Sequence, residues 1–167
     1  MTRRVYILLA IAPILAGCGG PAGQTFTEKF EVHESLFAHV ESLTNTVLMP
    51  NGQAVYTGIV GMTLDIDGIP QATVTADAGD FHAIGDFSVT VNVGLTSDIS
   101  GVMNNFTADE GHDLTGTLTI PTTTFSGSQF SVPYTDSLSL NGSPLVFSGT
   151  FAGLFKGSNA EWIWGGN

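Results

Sequence analysis

From residue 54 onward, apolar and polar residues alternate with a period of two, and this limits the possible folds more than any other feature of the chain. One face of 54–66 carries Ala54, Tyr56, Gly58, Val60, Met62, Leu64 and Ile66. In 70–77, Ala72, Val74 and Ala76 alternate with Gln71, Thr73 and Thr75. The pattern returns in 84–93 with Phe87, Val89, Val91 and Val93, and in 114–120 with Leu114, Leu118 and Ile120. It returns again in 137–140 with Leu138 and Leu140, and in 145–155 with Leu145, Phe147, Phe151 and Phe155. Weaker alternation covers 97–106 and 124–132. Successive side chains of a strand point to opposite faces, so each segment reads as a strand with one buried and one solvated face.

Turn residues separate these segments. Asp67 with Gly68, Gly79 with Asp80, Gly94, Gly111, and Asn141 with Gly142 lie between them. Asp-Gly and Asn-Gly supply the positive φ of tight hairpins. Gly, Ser and Thr make up about a third of the 167 residues, which disfavours a helical bundle. With 43% hydrophobic and 11% charged residues, the chain can bury a core. The expected fold is all-β: an eight-stranded antiparallel up-and-down β-barrel with a short N-terminal helix. A β-sandwich is the alternative. Closure removes exposed edges, and glycines inside the strands suit bends at barrel corners. A membrane-spanning barrel would be polar inside, with aromatic girdles. Here the apolar face carries large aromatics and reads as a filled core.

The residues before this region divide into three parts. Residues 1–17 read as a lipoprotein signal peptide: Arg3 and Arg4, then a short apolar run over 5–15, then Leu15, Ala16, Gly17 and Cys18. Eleven apolar residues are too few to span a bilayer as a helix. The Leu-Ala-Gly-Cys ending resembles the bacterial lipobox, which implies cleavage before Cys18 and acylation of its sulfur. Gly19 after the cysteine implies the outer membrane by lipoprotein sorting habits. Cys18 is the only cysteine, so no disulfide framework exists. Residues 18–27 read as a flexible tether. Residues 28–50 read as a helical lead-in, with Leu36, Val40, Leu43 and Val47 at helical spacing around a helix over 30–43. The remaining domain is 51–167.

The C-terminal residues Gly149, Phe151, Gly153, Phe155, Gly157 and Ala160 resemble the last strands of the transferrin-binding protein B barrel, a family similar to factor H-binding protein and other surface lipoproteins. Ala54, Val55, Tyr56, Thr57 and Gly58 after Pro50 and Gly52, and Asp86 with Phe87 followed by Ser100 with Gly101, resemble its earlier strands. Glu161 falls one residue early for the pattern and Gly165 with Gly166 one late. The resemblance implies a barrel, a lipid anchor and an outer-membrane location, at the cell surface or its periplasmic face. Transferrin contacts do not carry over, because the charged handle subdomain of the large members is absent.

Chemistry is sparse. No nucleophile elbow, zinc-protease helix motif, phosphate loop or dinucleotide fingerprint occurs, and the chain reads as a non-enzyme with no cofactor and no metal. Four basic residues against fifteen acids leave too few cations to meet phosphates, so nucleic acid is excluded as a partner. Two groups remain as candidate ligand-binding residues: the acidic turn Asp109, Glu110, His112 and Asp113, and the pair Trp162 and Trp164, which share a face at period two. Both also have plain structural readings, as a solvated turn and as core or barrel-end packing. The expected function is a lipid-anchored ligand- or protein-binding lipoprotein, with a host protein or an iron or haem source as partner. The alternative is a structural envelope lipoprotein without a small ligand.

Overall fold

The computed structural model describes residues 5–12, 25–65, 80–109 and 111–165. The expected strand over 70–77, the anchor residue Cys18 and the candidate Glu110 lie outside them. Among the described residues the strands are β1 (Val5–Ala12), β2 (Gly52–Asp65), β3 (Asp80–Val93), β4 (Ser97–Ala108), β5 (Leu114–Gly116), β6 (Leu118–Phe125), β7 (Gln129–Leu140), β8 (Ser143–Lys156) and β9 (Trp162–Gly165). One helix, α1 (Phe26–Glu41), precedes β2.

All pairings are antiparallel, in the order β5-β7-β8-β9-β1-β2-β3-β4-β6. β5 and β6 stand at opposite ends of that order although only Thr117 separates them in the chain. The sheet therefore curls round into a half-barrel. The expected closed eight-stranded barrel is corrected here: β6 and β7 share no ladder beyond a bridge between Ser126 and Gln129 among the described residues. Pro121 on β6 and Pro133 on β7 each remove an N–H that a ladder could use. Asp136 on β7 crosses the seam instead, its Oδ2 accepting from Thr119 N at 2.8 Å and its Oδ1 from Ser137 N at 2.8 Å. Two strand boundaries also change. Residues 124–132 straddle the β6–β7 turn, where Gly127 has φ 70°, and 137–140 is the end of the twelve-residue β7.

The apolar faces read from the sequence form the core. Tyr56, Val60 and Met62 of β2, Phe87, Val89 and Val91 of β3, and Leu145, Phe147, Phe151 and Phe155 of β8 are all buried. Phe151 lies 5.4 Å from Phe87 and 5.3 Å from Phe130, ring centre to ring centre. Phe155 lies 5.6 Å from Phe130 and 5.5 Å from Phe125. Apolar inside and polar outside is the reverse of a membrane-spanning barrel.

The glycines of β8 serve these rings rather than corner bends. Gly153 pairs with Phe130 and Gly149 with Tyr134 across the β7–β8 ladder. A Cβ at residue 153 would overlap the Phe130 ring, and one at 149 would come 3.1 Å from Tyr134 Oη. The absence of side chains lets the tip of each ring reach over the neighbouring strand.

Residues 5–12, part of the expected leader, form β1 in this structure. It pairs with β2 from Val5↔Leu64 to Ala12↔Thr57, and with β9 from Leu9↔Gly165 to Ile11↔Ile163.

Candidate functional site

Helix α1 lies across the outer face of the sheet, and its contacts with that face organise the surface. A capping box starts it. Glu28 N donates to Thr25 Oγ1 at 3.3 Å, and Thr25 N donates to Glu28 Oε2 at 2.8 Å. The backbone bond from Thr25 holds the Glu28 carboxyl below its ordinary range. The helix begins before the expected 30–43 span and ends at Glu41, capped by Ser42. Its inward stripe also differs from the expected one. Lys29, His33 and Val40 are buried, whereas Phe30 is 41% exposed and Val47, beyond the helix, is 97% exposed. The apolar spacing alone gave no warning that a lysine and a histidine face inward.

Lys29 reaches a bulge between β3 and β4, where the register shifts between Ile84 and Asp86. Its Nζ lies 3.1 Å from Asp86 Oδ1 and donates to Asn105 O at 2.9 Å. Asn105 has φ 51° and its Nδ2 donates to Asp86 Oδ2 at 2.9 Å. His33 lies over Gly61 of β2, where a Cβ would come 3.3 Å from Nε2. Phe37 meets Trp164 at 6.1 Å, and His39 meets Trp162 edge-on at 5.1 Å.

At the far end, Lys156 Nζ donates to Leu43 O at 3.0 Å and Glu41 O at 3.4 Å, and sits 5.5 Å from the Trp164 ring centre. A cation there meets carbonyls left over at the helix C-terminus. The following segment is latched to β8 and the turn after it. Thr46 N donates to Phe155 O at 2.8 Å, and Thr46 Oγ1 donates to Gly157 O at 2.8 Å.

Trp162 and Trp164 are thus half-buried beneath α1, on the outer face of β9. The acidic turn lies elsewhere, between β4 and β5. Asp109 Oδ1 accepts from His82 N at 2.9 Å, and His112 N donates to Asp109 O at 3.1 Å. Asp113 N donates to Asn141 Oδ1 at 2.9 Å, and Asn141 Nδ2 stands 3.3 Å from His112 Nδ1. These bonds tie the turn to the β3 end and to the β7–β8 turn. The structure therefore does not bring the two candidate groups together: β1, β2 and β3 lie between β9 and β4 in the sheet order. Among the described residues no group of three or more His, Cys, Asp or Glu side chains is placed to hold a metal ion.

A pocket of about 70 Å³ opens at the start of β2, lined by residues that include Met49, Tyr56, Val91 and Val93. Sites for drug-sized ligands run to roughly 300–1,000 Å³. Tyr56 is anchored there, its Oη donating to Ala160 O at 2.7 Å. Burial, with a smaller push from Glu161, raises its phenol to about 12. Sequence reasoning also missed exposed aliphatic residues in the connecting segments: Val47, Leu48 at 81% and Leu95.

No protein-family model, curated protein or solved structure matches this chain.

Proposed function

We propose that the chain is exported, acylated at Cys18 and held at the outer membrane, where its β-domain binds a macromolecular partner that presents a basic surface. One observation carries the binding half of this reading. From Cys18 onward the chain has two cations, Lys29 and Lys156, against fifteen acids, a balance of −13. Both lysines are buried, pinning the two ends of α1. The outward side of the helix presents Glu28, Glu31, Glu34 and Glu41, all exposed. Such a surface attracts cations and repels anionic polymers.

The resemblance to transferrin-binding protein B barrels supports the anchor and the location through the residues quoted above. The turn bonds of Asp109 and Asp113 favour the second reading for that loop, a structural element of an envelope lipoprotein.

Surface plasmon resonance against an immobilised lysine-rich peptide tests the binding half. Exposed charges are screened beyond about 8 Å at 0.15 M salt, so association should slow as salt rises. Replacing Asp109, Glu110 and Asp113 by Asn, Gln and Asn should lower the on-rate more than it raises the off-rate. Asn at 109 keeps an oxygen for His82 N. Binding that ignores salt and all charge substitutions, on α1 as well as in the turn, would refute an electrostatic role.

A further inference from the structure

We infer that the mature protein carries a preformed slot between β9 and β2 that accepts an extended, continuously apolar segment of a partner polypeptide, antiparallel to β2. This rests on the reading that cleavage before Cys18 removes Val5–Ala12.

The slot is defined by what fills it in the full chain. β1 pairs with eight consecutive residues of β2 and three of β9. β9 has four residues and β2 has fourteen, so direct pairing between them would leave most of the β2 edge bare. An exposed edge of that length is a template for another strand.

Removing β1 need not close the gap, because α1 bridges it with contacts that do not involve β1. On one flank His33 lies over Gly61 of β2, and Lys29 holds Asp86 and the Asn105 carbonyl on β3 and β4. On the other flank Phe37 meets Trp164 of β9, and Lys156 of β8 holds the carbonyls of Glu41 and Leu43. With β1 in place α1 also packs on β1 itself, and the inference is that these four anchors keep the two walls one strand apart once it is gone.

The same geometry sets the chemistry of the occupant. One side of the slot faces the core and the other faces the underside of α1. A strand covered on both faces carries an unbroken apolar run instead of an alternating one. Residues 5–12 read Val-Tyr-Ile-Leu-Leu-Ala-Ile-Ala, without the polar alternation of the other strands.

The test uses the protein extracted in mild detergent from the membranes of cells that export it. Its intact mass first shows whether residues 1–17 are gone. Backbone hydrogen exchange is then followed with and without a synthetic peptide of sequence 5–12 flanked by lysines. Without peptide, the amides of 129–140 that bond to β8 and those of 57–64 that bond to β3 should be protected, while the alternate amides of 57–64 that face β1 should exchange fast. With peptide, exchange at those slot-facing amides should slow about tenfold or more, and a peptide with alternate residues replaced by proline should have no effect. Slow exchange without peptide at the amides of 57–64 that face β1 would show that the sheet has closed on itself, and would overturn the inference. So would an inert peptide, or fast exchange throughout the domain, which would mean that β1 is indispensable to the sheet. A mass that still includes residues 1–17 fails the cleavage reading itself, and the vacated slot with it.

Discussion

Lys29 Nζ lies 3.1 Å from Asp86 Oδ1, and this pair joins the N-terminal half of α1 to the bulge of β3 and β4. The ammonium is buried while the carboxylate side chain keeps 32% exposure. Lys29→Met preserves the aliphatic stem but strands the Asn105 carbonyl and takes the ammonium from Asp86, which keeps the Asn105 amide. Its cost should be about 1–3 kcal/mol, below that of a fully buried pair because Asp86 is partly solvated. A urea-denaturation cycle with Asp86→Asn should show coupling; additive single losses would contradict the pairing.

Gly153 gives a steric test of the core. Gly153→Ala places a methyl group where the Phe130 ring lies, and overpacking of this kind costs about 1–3 kcal/mol. Adding Phe130→Leu should recover part of that loss in thermal melts. A neutral Gly153→Ala would mean that the ring does not lie over β8.

Tyr56 gives a pH test. Its phenol rises from the ordinary value of 10.0 to about 12 through burial, with a smaller contribution from Glu161. The folded state then holds a proton that the unfolded chain loses above pH 10. Stability from this group is complete below pH 10 and is lost as pH rises toward about 12. Tyr56→Phe should flatten that alkaline loss, while costing about 1 kcal/mol at neutral pH for the bond to Ala160. Denaturation midpoints at several pH values read both effects.

Asp136 tests the seam. Bonds from Ser137 N and Thr119 N hold its carboxyl below the ordinary range. Its stabilisation is therefore present above the ordinary carboxylate pKa and is lost as pH falls through the lowered value. Asp136→Ala should cost about 1 kcal/mol, a modest figure because the site is solvated. It should also speed amide exchange at Thr119 before other β6 positions. Unchanged exchange at Thr119 would remove Asp136 from the seam.

The strands and their inward faces were legible because one face of each is buried, and burial writes a period of two into Phe87, Val89, Val91, Phe147, Phe151 and Phe155. The glycines at 149 and 153 were visible, but their role depends on Tyr134 and Phe130, which reach them only through the β7–β8 register. The open seam turns on Pro121, Pro133 and Asp136, where missing donors matter more than hydropathy. The α1 interface was the least legible. Lys29 and His33 read as polar positions, and only their distant partners Asp86, Asn105 and Gly61 make them inward. The acidic turn looked like a ligand cluster because sequence proximity gathers its groups. The Asp109 carboxylate instead accepts from His82 N, and the Asp113 backbone N–H donates to Asn141, residues far away in the chain.

The central claim is that Cys18 is the first residue of the mature protein and carries its anchor. Intact mass spectrometry of the detergent-extracted protein tests it most directly. The account predicts a chain beginning at Cys18, heavier than its sequence by a diacylglyceryl group and an amide-linked acyl chain, and Cys18→Ser should yield no acylated species. A chain that retains residues 1–17 with an unmodified Cys18 would contradict it.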